Sequence, residues 1–246
     1  MTVRILDQVK NPAPKRVGAI DREHRREASS SLTARVTEQI RDAIQNGKFK
    51  LGEGLSELKL AAALGVSRTP VREAFNALQL QGLIDIRPQS GSFVFMPTEE
   101  NVGALCEFRR VMEVTALRLC FEYRREDALQ QMRMASDAME LAKQTGDRLA
   151  ISHADTDFHQ AIMNHSNNPY LIEAYKLVSG RVAALRTHNL VGLDTLLNKS
   201  ISEHRLIIAA LSRGKLDRAE AILDEHISRM GVGYRATNRR QKQTRV

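Results

Sequence analysis

The sequence predicts a mainly α protein, with an N-terminal winged helix-turn-helix followed by an all-α antiparallel helical bundle. Two observations predict this architecture. Within residues 31–96, three short helical patterns precede two short strand patterns joined by a turn. From residue 98 to about residue 231, apolar residues recur only at helical spacing, and glycine or proline separates the segments. The chain of 246 residues is long enough for two modest domains.

The first two predicted helices cover residues 32–46 and 56–64. Ser56 is the expected N-cap of the second helix. Apolar residues recur every three or four positions in both, as one buried face requires. They are Val36, Ile40 and Ile44 in the first helix, and Leu60, Ala63 and Leu64 in the second.

The third predicted helix is entered through a tight turn at Gly65. We expect Gly65 to adopt the left-handed conformation that ends many helices, and the Ser67 hydroxyl to cap the next helix. Pro70 is tolerated there because a first-turn N–H has no partner inside the helix. The inward face consists of Val71, Ala74, Phe75 and Leu78.

The outer face of the third helix indicates a DNA-binding element. Arg68, Thr69 and Arg72 lie at its N-terminal part, the end that enters the major groove in a helix-turn-helix. Arginine can pair with guanine or phosphate, and threonine can reach a thymine methyl group or a phosphate. The same pattern also fits a helical hairpin with solvated arginines. The turn, the cap and the following hairpin favour DNA recognition.

The hairpin after the third helix is a predicted wing. Its strands are residues 84–86 and 93–95, and its turn holds Pro88 and Gly91. Gly91 leaves room for a DNA backbone or minor groove, although a plain turn also accounts for it. The complete set of predicted DNA contacts is Arg35, Ser67, Arg68, Thr69, Arg72 and Gly91.

Residues Val66 to Ala74, with Leu78 and Gly82-Leu83-Ile84, resemble the signature of the GntR family of bacterial transcription regulators. The resemblance covers residues 32–96 and implies a DNA-binding regulator. This sequence departs from the family pattern at Leu51, Leu58 and Phe75. Some members carry a DNA-contacting arginine at the position of Leu58. That departure bears on which operator is read, and not on DNA binding itself.

Positive charge is concentrated outside the predicted bundle. The formal net charge is +8, yet residues 97–234 carry 17 basic and 19 acidic side chains. This distribution suits a DNA-binding domain joined to a regulatory domain, and it disfavours a structural protein that binds DNA along its whole length. We expect a flexible basic arm at residues 1–30, with or without a role on DNA, and a frayed basic tail at residues 235–246.

The sequence predicts a cytoplasmic protein. Cys106 and Cys120 are too far apart to bridge within one helix, and we expect them to be small core residues of a reducing compartment. No apolar stretch approaches the length of a membrane-spanning helix, and the N-terminus lacks a signal-peptide run.

Residues 97–234 are predicted to form about six helices in an antiparallel bundle. Thr98 is the expected N-cap of the first. The expected helices are 98–124, 126–145, 147–165, 169–188, 193–213 and 215–230, separated at Gly146, Asn168-Pro169, Gly192 and Gly214.

Four polar residues of this bundle form a candidate metal site. Asp155 and His159 lie four residues apart and share one helical face, while His204 and His226 lie on the last two helices. One carboxylate and three imidazoles that converge in a bundle can bind a divalent metal, with zinc as the first choice and nickel or manganese as alternatives. Scattered histidines are also common at surfaces and in satisfied cores, so the spacing leaves both interpretations open.

The same four residues, with Phe158 and Asn168, resemble the ligand-binding domain of the FadR subgroup of GntR regulators, the FCD domain. The resemblance implies that they hold a metal. It also implies that Arg109, four residues before Glu113, meets the carboxylate of a small organic acid beside that metal. The alternatives are an internal ion pair between Arg109 and Glu113, or an inward Arg110.

Together these features predict a ligand-responsive transcription regulator. A homodimer would present two recognition helices to a palindromic double-stranded operator, because one helix reads too few base pairs. A small carboxylate or sugar acid would change DNA affinity by favouring one placement of the two DNA-binding domains. The family resemblance makes a repressor the default. The alternatives are a regulator that senses the metal itself, and a metal-dependent hydrolase, for which no separate general base stands near the four ligands.

Overall fold

The computed structural model describes residues 22–189 and 194–243, with side chains described within 31–189 and 195–239. The chain divides into two compact units, unit 1 ending at Met96 and unit 2 beginning at Pro97. In chain order the described elements are α1 (Arg22–Gln45), β1 (Gly54–Leu55), α2 (Glu57–Leu64), α3 (Arg68–Leu80), β2 (Ile84–Arg87), β3 (Gly91–Val94), α4 (Glu99–Tyr123), α5 (Arg125–Thr145), α6 (Arg148–Asn164), α7 (Pro169–Asn189), α8 (Asp194–Ser212) and α9 (Leu216–Gln243).

In unit 1, α3 packs against both α1 and α2. The inward faces predicted for α1 and α3 are confirmed, since all seven apolar residues named for them are buried. In α2 the prediction is right for Leu60 and wrong for Ala63, which is exposed while Ala61 is buried. Leu64, the third residue predicted to point inward, is half-buried. The buried residues of this eight-residue helix are thus the adjacent Leu60 and Ala61.

The predicted turn chemistry of the helix-turn-helix is largely confirmed. The Ser56 hydroxyl accepts a hydrogen bond from the Lys59 backbone N–H. Gly65 ends α2 in the left-handed conformation with a φ of 65°. Left-handed backbone is costly for residues with a Cβ, which explains glycine at this position.

The wing is a three-stranded antiparallel sheet with strand order β1-β3-β2. Residues 51–55, between the first two helices, are predicted as a turn from Gly52 and Gly54, but Gly54 and Leu55 form strand β1, which pairs with β3 at Ser92 and Phe93. A strand of two residues is too short to show alternation, so only its partner reveals it. The returning strand begins at Gly91, two residues before the predicted start, because Gly91 already pairs with Arg87.

Unit 2 contains six described helices, with ends within two residues of the predicted ones except at the end of α9. Thr98 caps α4 in a reciprocal capping box with Asn101. The most extensive helix–helix contacts are those of α5 with α6 and of α4 with α9. Cys106 and Cys120 are unbridged and buried, as expected, and burial raises the pKa of Cys120 to about 12.

The predictions of a flexible arm and of a frayed tail at the two ends of the chain are wrong for the described residues. The basic arm expected at residues 1–30 is helical from Arg22 onward, and residues 1–21 lie outside the described part of the chain. The tail expected to fray from residue 235 instead continues α9 to Gln243. Buried Tyr234 and Thr237 pack this extension onto unit 2, which the polar sequence after residue 234 does not reveal. Within the described residues, no helix has both the length and the apolar character needed to cross a bilayer.

Candidate functional site

The N-terminus of α3 presents an exposed polar surface. Ser67, Arg68 and Thr69 are all exposed. Ser67 has the extended backbone of an N-cap, but its hydroxyl makes no capping hydrogen bond, so that part of the prediction is wrong. First-turn N–H groups that no side chain caps, together with the helix dipole, attract anions such as phosphate.

Arg68 and Arg72 share one carboxylate, that of Glu57 on α2. Arg72 donates through Nε and Nη2 to the two Glu57 oxygens at 3.4 and 3.3 Å, and Nη2 of Arg68 donates to Oε2 at 3.3 Å. The side chains of both arginines are about 60% exposed, against 24% for Glu57. Hydrogen bonds from Arg72 and then Arg68 outweigh partial burial and lower the pKa of Glu57.

The remaining predicted DNA contacts lie on other elements of unit 1. Arg35 is exposed on α1. Gly91 is exposed at the start of β3 with a φ of 105°, and nothing lies within 4 Å of the place a Cβ would take. The left-handed backbone of the turn therefore suffices to explain glycine there. Close to this position, Gln89 also adopts a positive φ of 59°.

Four ligand atoms converge between α6, α8 and α9 of unit 2. The Nε2 atoms of His159 and His226 lie 3.0 Å apart. Nε2 of His204 lies 3.4 Å from that of His226 and 3.5 Å from Oδ1 of Asp155. One ligand atom from each residue lies within 4.8 Å of all the others. The structure thus brings together the four residues that the sequence singled out.

Carboxylates contact two of the imidazoles at Nδ1, the ring nitrogen that does not face the other ligands. Nδ1 of His159 lies 2.5 Å from Oε2 of Glu113, and Nδ1 of His226 lies 3.0 Å from Oε2 of Glu203. An ionised carboxylate only accepts hydrogen bonds, so both Nδ1 atoms carry the proton. The Nε2 lone pairs of the two rings then face each other with no proton between them. A shared cation would satisfy both, and carboxylates behind histidine ligands are a common feature of metal sites.

The third imidazole is oriented by stacking. The ring of His204 lies on the ring of Phe158, with centroids 3.7 Å apart and planes within 6°. Its Nδ1 is buried without a hydrogen-bond partner among the described residues. The aromatic contact fixes the plane in which Nε2 points at the cluster.

Burial keeps the three imidazoles neutral. It lowers the pKa of His159 and of His226 to about 4, and that of His204 well below its ordinary value. Burial alone would raise the pKa of Asp155, but Arg186, whose Nε lies 2.5 Å from Oδ2, holds it below its ordinary value. At neutral pH the cluster is one carboxylate and three neutral imidazoles, the protonation state that metal ligands need.

Arg109 lies beside the cluster, and its guanidinium group already contacts other side chains of the protein. Its Nε donates to Oε1 of Glu113 at 2.7 Å, and both side chains are buried. Nη1 meets the sulfur of Met230, and Nη2 lies 3.5 Å from Nδ1 of His159. Arg109 is therefore the inward arginine, and the internal ion pair left open by the sequence is present. Arg110 points outward and pairs with Asp224.

A cavity of about 110 Å³ adjoins the cluster. Its lining includes three arginines, Arg109, Arg186 and Arg229, as well as Asn189 and several apolar side chains. Nη2 of Arg186 and Oδ1 of Asn189 are buried without a hydrogen-bond partner among the described residues. The cavity therefore combines a candidate metal-ligand set with unpaired donor and acceptor atoms.

Sequence reasoning missed Glu57, Arg186, Asn189 and Glu203. Two of them left a readable signal. Arg186 and Asn189 continue the stripe of Val182 and Leu185 at helical spacing, and a charged residue on an apolar face needs an internal partner. Glu57 and Glu203 look like ordinary acidic residues in sequence, and only their positions in space reveal what they contact.

Comparison with known proteins agrees with this geometry. Residues 32–94 match the family described as bacterial regulatory proteins, gntR family, and residues 104–229 match the FCD domain. The chain belongs to the GntR family. GntR regulators bind DNA operators, so this member is a DNA-binding transcription regulator and not an enzyme, which removes the hydrolase alternative.

Three relatives illustrate the similarity. The probable D-xylose utilization operon transcriptional repressor of Paenarthrobacter nicotinovorans is 30% identical over 208 residues, which cover 82% of this chain and 91% of the relative. The transcriptional repressor NanR of Escherichia coli K12 is 28% identical, with coverage of 85% and 86%. A GntR regulator from Rhodococcus sp. RHA1 of known structure is 27% identical with a TM-score of 0.75, covering 84% of this chain and 98% of that one.

Proposed function

We propose that this GntR regulator is a repressor that binds a palindromic operator as a homodimer, and that a small organic acid beside a divalent metal in unit 2 controls its DNA affinity. The convergence of Asp155, His159, His204 and His226 is the observation that carries the regulatory part. Two relatives named as repressors support the sign of regulation.

The proposed DNA contacts follow from exposure and charge. Arg68 and Arg72 would make the principal base or phosphate contacts from α3, with Ser67 and Thr69 beside them. Arg35 and Gly91 are the proposed contacts on α1 and the wing. The exposed helix N-terminus and the two outward guanidinium groups of α3 support this assignment.

The donor set fits a divalent metal. Facing Nε2 lone pairs, carboxylates behind two of the rings and neutral imidazoles at pH 7 all favour a bound cation. Three nitrogen ligands and one oxygen ligand suit zinc, with nickel or manganese as alternatives. The metal would supply positive charge and a coordination position for an anionic ligand.

Charge balance favours an acid as the effector. Arg109 pairs with Glu113, Arg186 with Asp155, and Arg229 with Glu203, so the arginines that line the cavity are neutralised one by one. Arg229 also pairs with Glu225, whose side chain is 70% exposed. A divalent metal on Asp155 would add two positive charges, and among the described residues that line the cavity Asp155 is the only carboxylate. A buried excess of positive charge is costly unless an anion accompanies it, and a carboxylate supplies that anion.

We further propose that Arg186, rather than Arg109, whose Nε and Nη1 already contact Glu113 and Met230, meets the acid. Nη2 is its remaining donor, because Nε and Nη1 already bind Asp155 and Thr156. Asn189, one turn further along α7, donates through Nδ2 to the Met230 carbonyl at 3.1 Å and keeps Oδ1 as an unpaired acceptor.

Thermal unfolding of the full chain tests the regulatory part. Metal-loaded and chelated protein are compared with glycolate, lactate, gluconate and citrate as probes. A ligand that binds only the folded state raises the unfolding temperature with its concentration. We expect at least one acid to stabilise the metal-loaded protein only, and Arg186→Lys to lose that response while the control Arg181→Lys keeps it. A chelator effect without any response to acids would leave the metal as structural or as the signal itself.

Operator binding tests the DNA part. Duplexes selected from a random library supply the operator, and fluorescence anisotropy measures affinity. Arg72→Ala should lose at least about tenfold in affinity, the loss expected for one good base contact. Arg124→Ala removes an arginine of similar exposure from unit 2 and serves as the control. Equal affinity of the two variants would contradict the assignment of α3.

A further inference from the structure

The geometry points to Glu57 as a positioning residue for sequence discrimination, which holds Arg68 and Arg72 in a shared orientation and limits their binding to DNA of any sequence. The inference rests on the proposed role of α3 on DNA. It concerns the ratio of specific to non-specific affinity, which the proposed function does not address.

An acidic side chain is unexpected on a surface that contacts phosphates, because the two negative charges repel each other. Glu57 begins α2, yet its carboxylate reaches across to the first two turns of α3. It is far less exposed than the guanidinium groups that cover it, so it lies beneath them rather than beside them. A carboxylate repels phosphate, and it lowers the affinity of this surface for any nucleic acid.

The contact geometry leaves the reading edge of Arg72 open. A guanidinium group has five N–H donors arranged on three edges. Glu57 takes the edge formed by Nε and Nη2 in a two-point contact. The edge formed by Nη1 and Nη2 lies at the far end of the group, and its two parallel donors match the O6 and N7 atoms of guanine.

The shared carboxylate also holds two like charges together. Arg68 and Arg72 lie four residues apart on one helical face, where like charges repel each other. Glu57 binds both and lowers that repulsion. Arginine loses much rotamer freedom when it binds in one geometry, and a side chain already restrained in the free protein loses less. Free arginines instead adapt to phosphates of any sequence.

The test measures the affinity of full-length protein for a selected operator and for a duplex of scrambled sequence, over a range of salt concentrations. We expect Glu57→Ala to bind the scrambled duplex about threefold to tenfold more tightly and to lose about tenfold in the ratio of specific to non-specific affinity. Its non-specific affinity should also depend more steeply on salt, because released arginines neutralise additional phosphates.

Two further variants distinguish an effect on the orientation of Arg68 and Arg72 from a general effect of net charge. Glu38→Ala removes a carboxylate that pairs with Arg41 on α1, so it matches the change of net charge without touching α3. It should leave the ratio within about twofold. In a protein that already carries Arg68→Ala and Arg72→Ala, Glu57→Ala should have no further effect on the ratio, because its action passes through those arginines.

The outcomes distinguish failure of the proposed role of α3 on DNA from failure of the role inferred for Glu57. If Arg68→Ala and Arg72→Ala leave operator binding intact, the proposed role of α3 fails. If they weaken it while Glu57→Ala leaves the ratio unchanged, this inference alone is overturned. A loss of ratio that persists without the arginines would also overturn it, and would make Glu57 a direct base contact. Far-UV circular dichroism confirms that each variant is folded.

Discussion

Replacing Arg109 by methionine tests whether this arginine is structural or reserved for an effector. Arg109 and Glu113 are almost fully buried, at 3% and 0% exposure of their side chains, and are 2.7 Å apart. Removing one partner leaves the other charge buried, which costs about 3–5 kcal/mol of unfolding free energy. Tyr175 and His159 would still contact Glu113. We therefore expect the lower part of that range, about 3 kcal/mol.

Arg110 supplies the matched control. It lies one residue further along α4 and is 2.6 Å from Asp224, but both side chains are more than 40% exposed. Solvent screens an exposed ion pair, so Arg110→Met should have a much smaller effect than Arg109→Met. Two arginines with ion pairs of similar length thus differ chiefly in burial.

Urea unfolding in the presence of a chelator measures both variants, because chelation removes any contribution from metal binding. The chain has no tryptophan, so far-UV circular dichroism is the suitable signal. The double variant Arg109→Met/Glu113→Gln removes both charges and should recover more than half of the loss. If Arg109→Met costs no more than Arg110→Met, the structural interpretation is wrong and the effector role implied by the family resemblance regains support.

Three other predictions concern the metal cluster and two glycines. In chelated protein the free energy of unfolding should fall as pH is lowered from about 6.5 to about 4, because the unfolded chain gains protons in that window while folded His159 and His226, with pKa values of about 4, remain neutral; a constant unfolding temperature across this range would contradict it. Glu203→Gln should lower metal affinity about 10- to 100-fold in a competition titration, whereas a substitution of exposed Glu225 should not, and equal affinities would dissociate Glu203 from the metal. Gly65→Ala should cost about 1–2 kcal/mol of unfolding free energy because its φ is 65°, while Gly103→Ala, within α4 and with open space around it, should add about 0.5–1 kcal/mol; the same sign for both would refute the backbone argument.

The helices and the cluster were predictable because local patterns encode them. Apolar periodicity, caps and breakers fix where a helix lies, and the pattern around His159, His204 and His226 resembles a known domain. Strand β1 was not predictable, since two residues carry no period and their pairing to β3 is decided in space. The polar end of α9 was missed for a related reason, because its helical state depends on burial of only a few side chains such as Tyr234.

Electrostatic partnerships were the least predictable part of the site. Arg109 and Glu113 lie four positions apart, so the sequence allowed an ion pair between them but could not favour it over an effector contact. The pairing of Arg186 with Asp155 joins α7 to α6 across 31 positions, and that of Glu57 with Arg72 crosses a turn. Such contacts depend on how helices are placed, and no local pattern specifies that placement.

Helix α9 connects the cavity of unit 2 to the point where the chain enters that unit. It contributes His226 to the cluster and Met230 and Gly233 to the cavity wall, and one residue later the Tyr234 hydroxyl donates to the carbonyl of Pro97 at 2.5 Å. Pro97 is the residue through which the chain enters unit 2. Because a helix shifts or rotates largely as one body, a displacement of α9 at the cavity is shared by its attachment to that entry point. On α9, the hydrogen bond from Tyr234 to Pro97 thus lies next to the cavity-wall residue Gly233 and about two helical turns from His226.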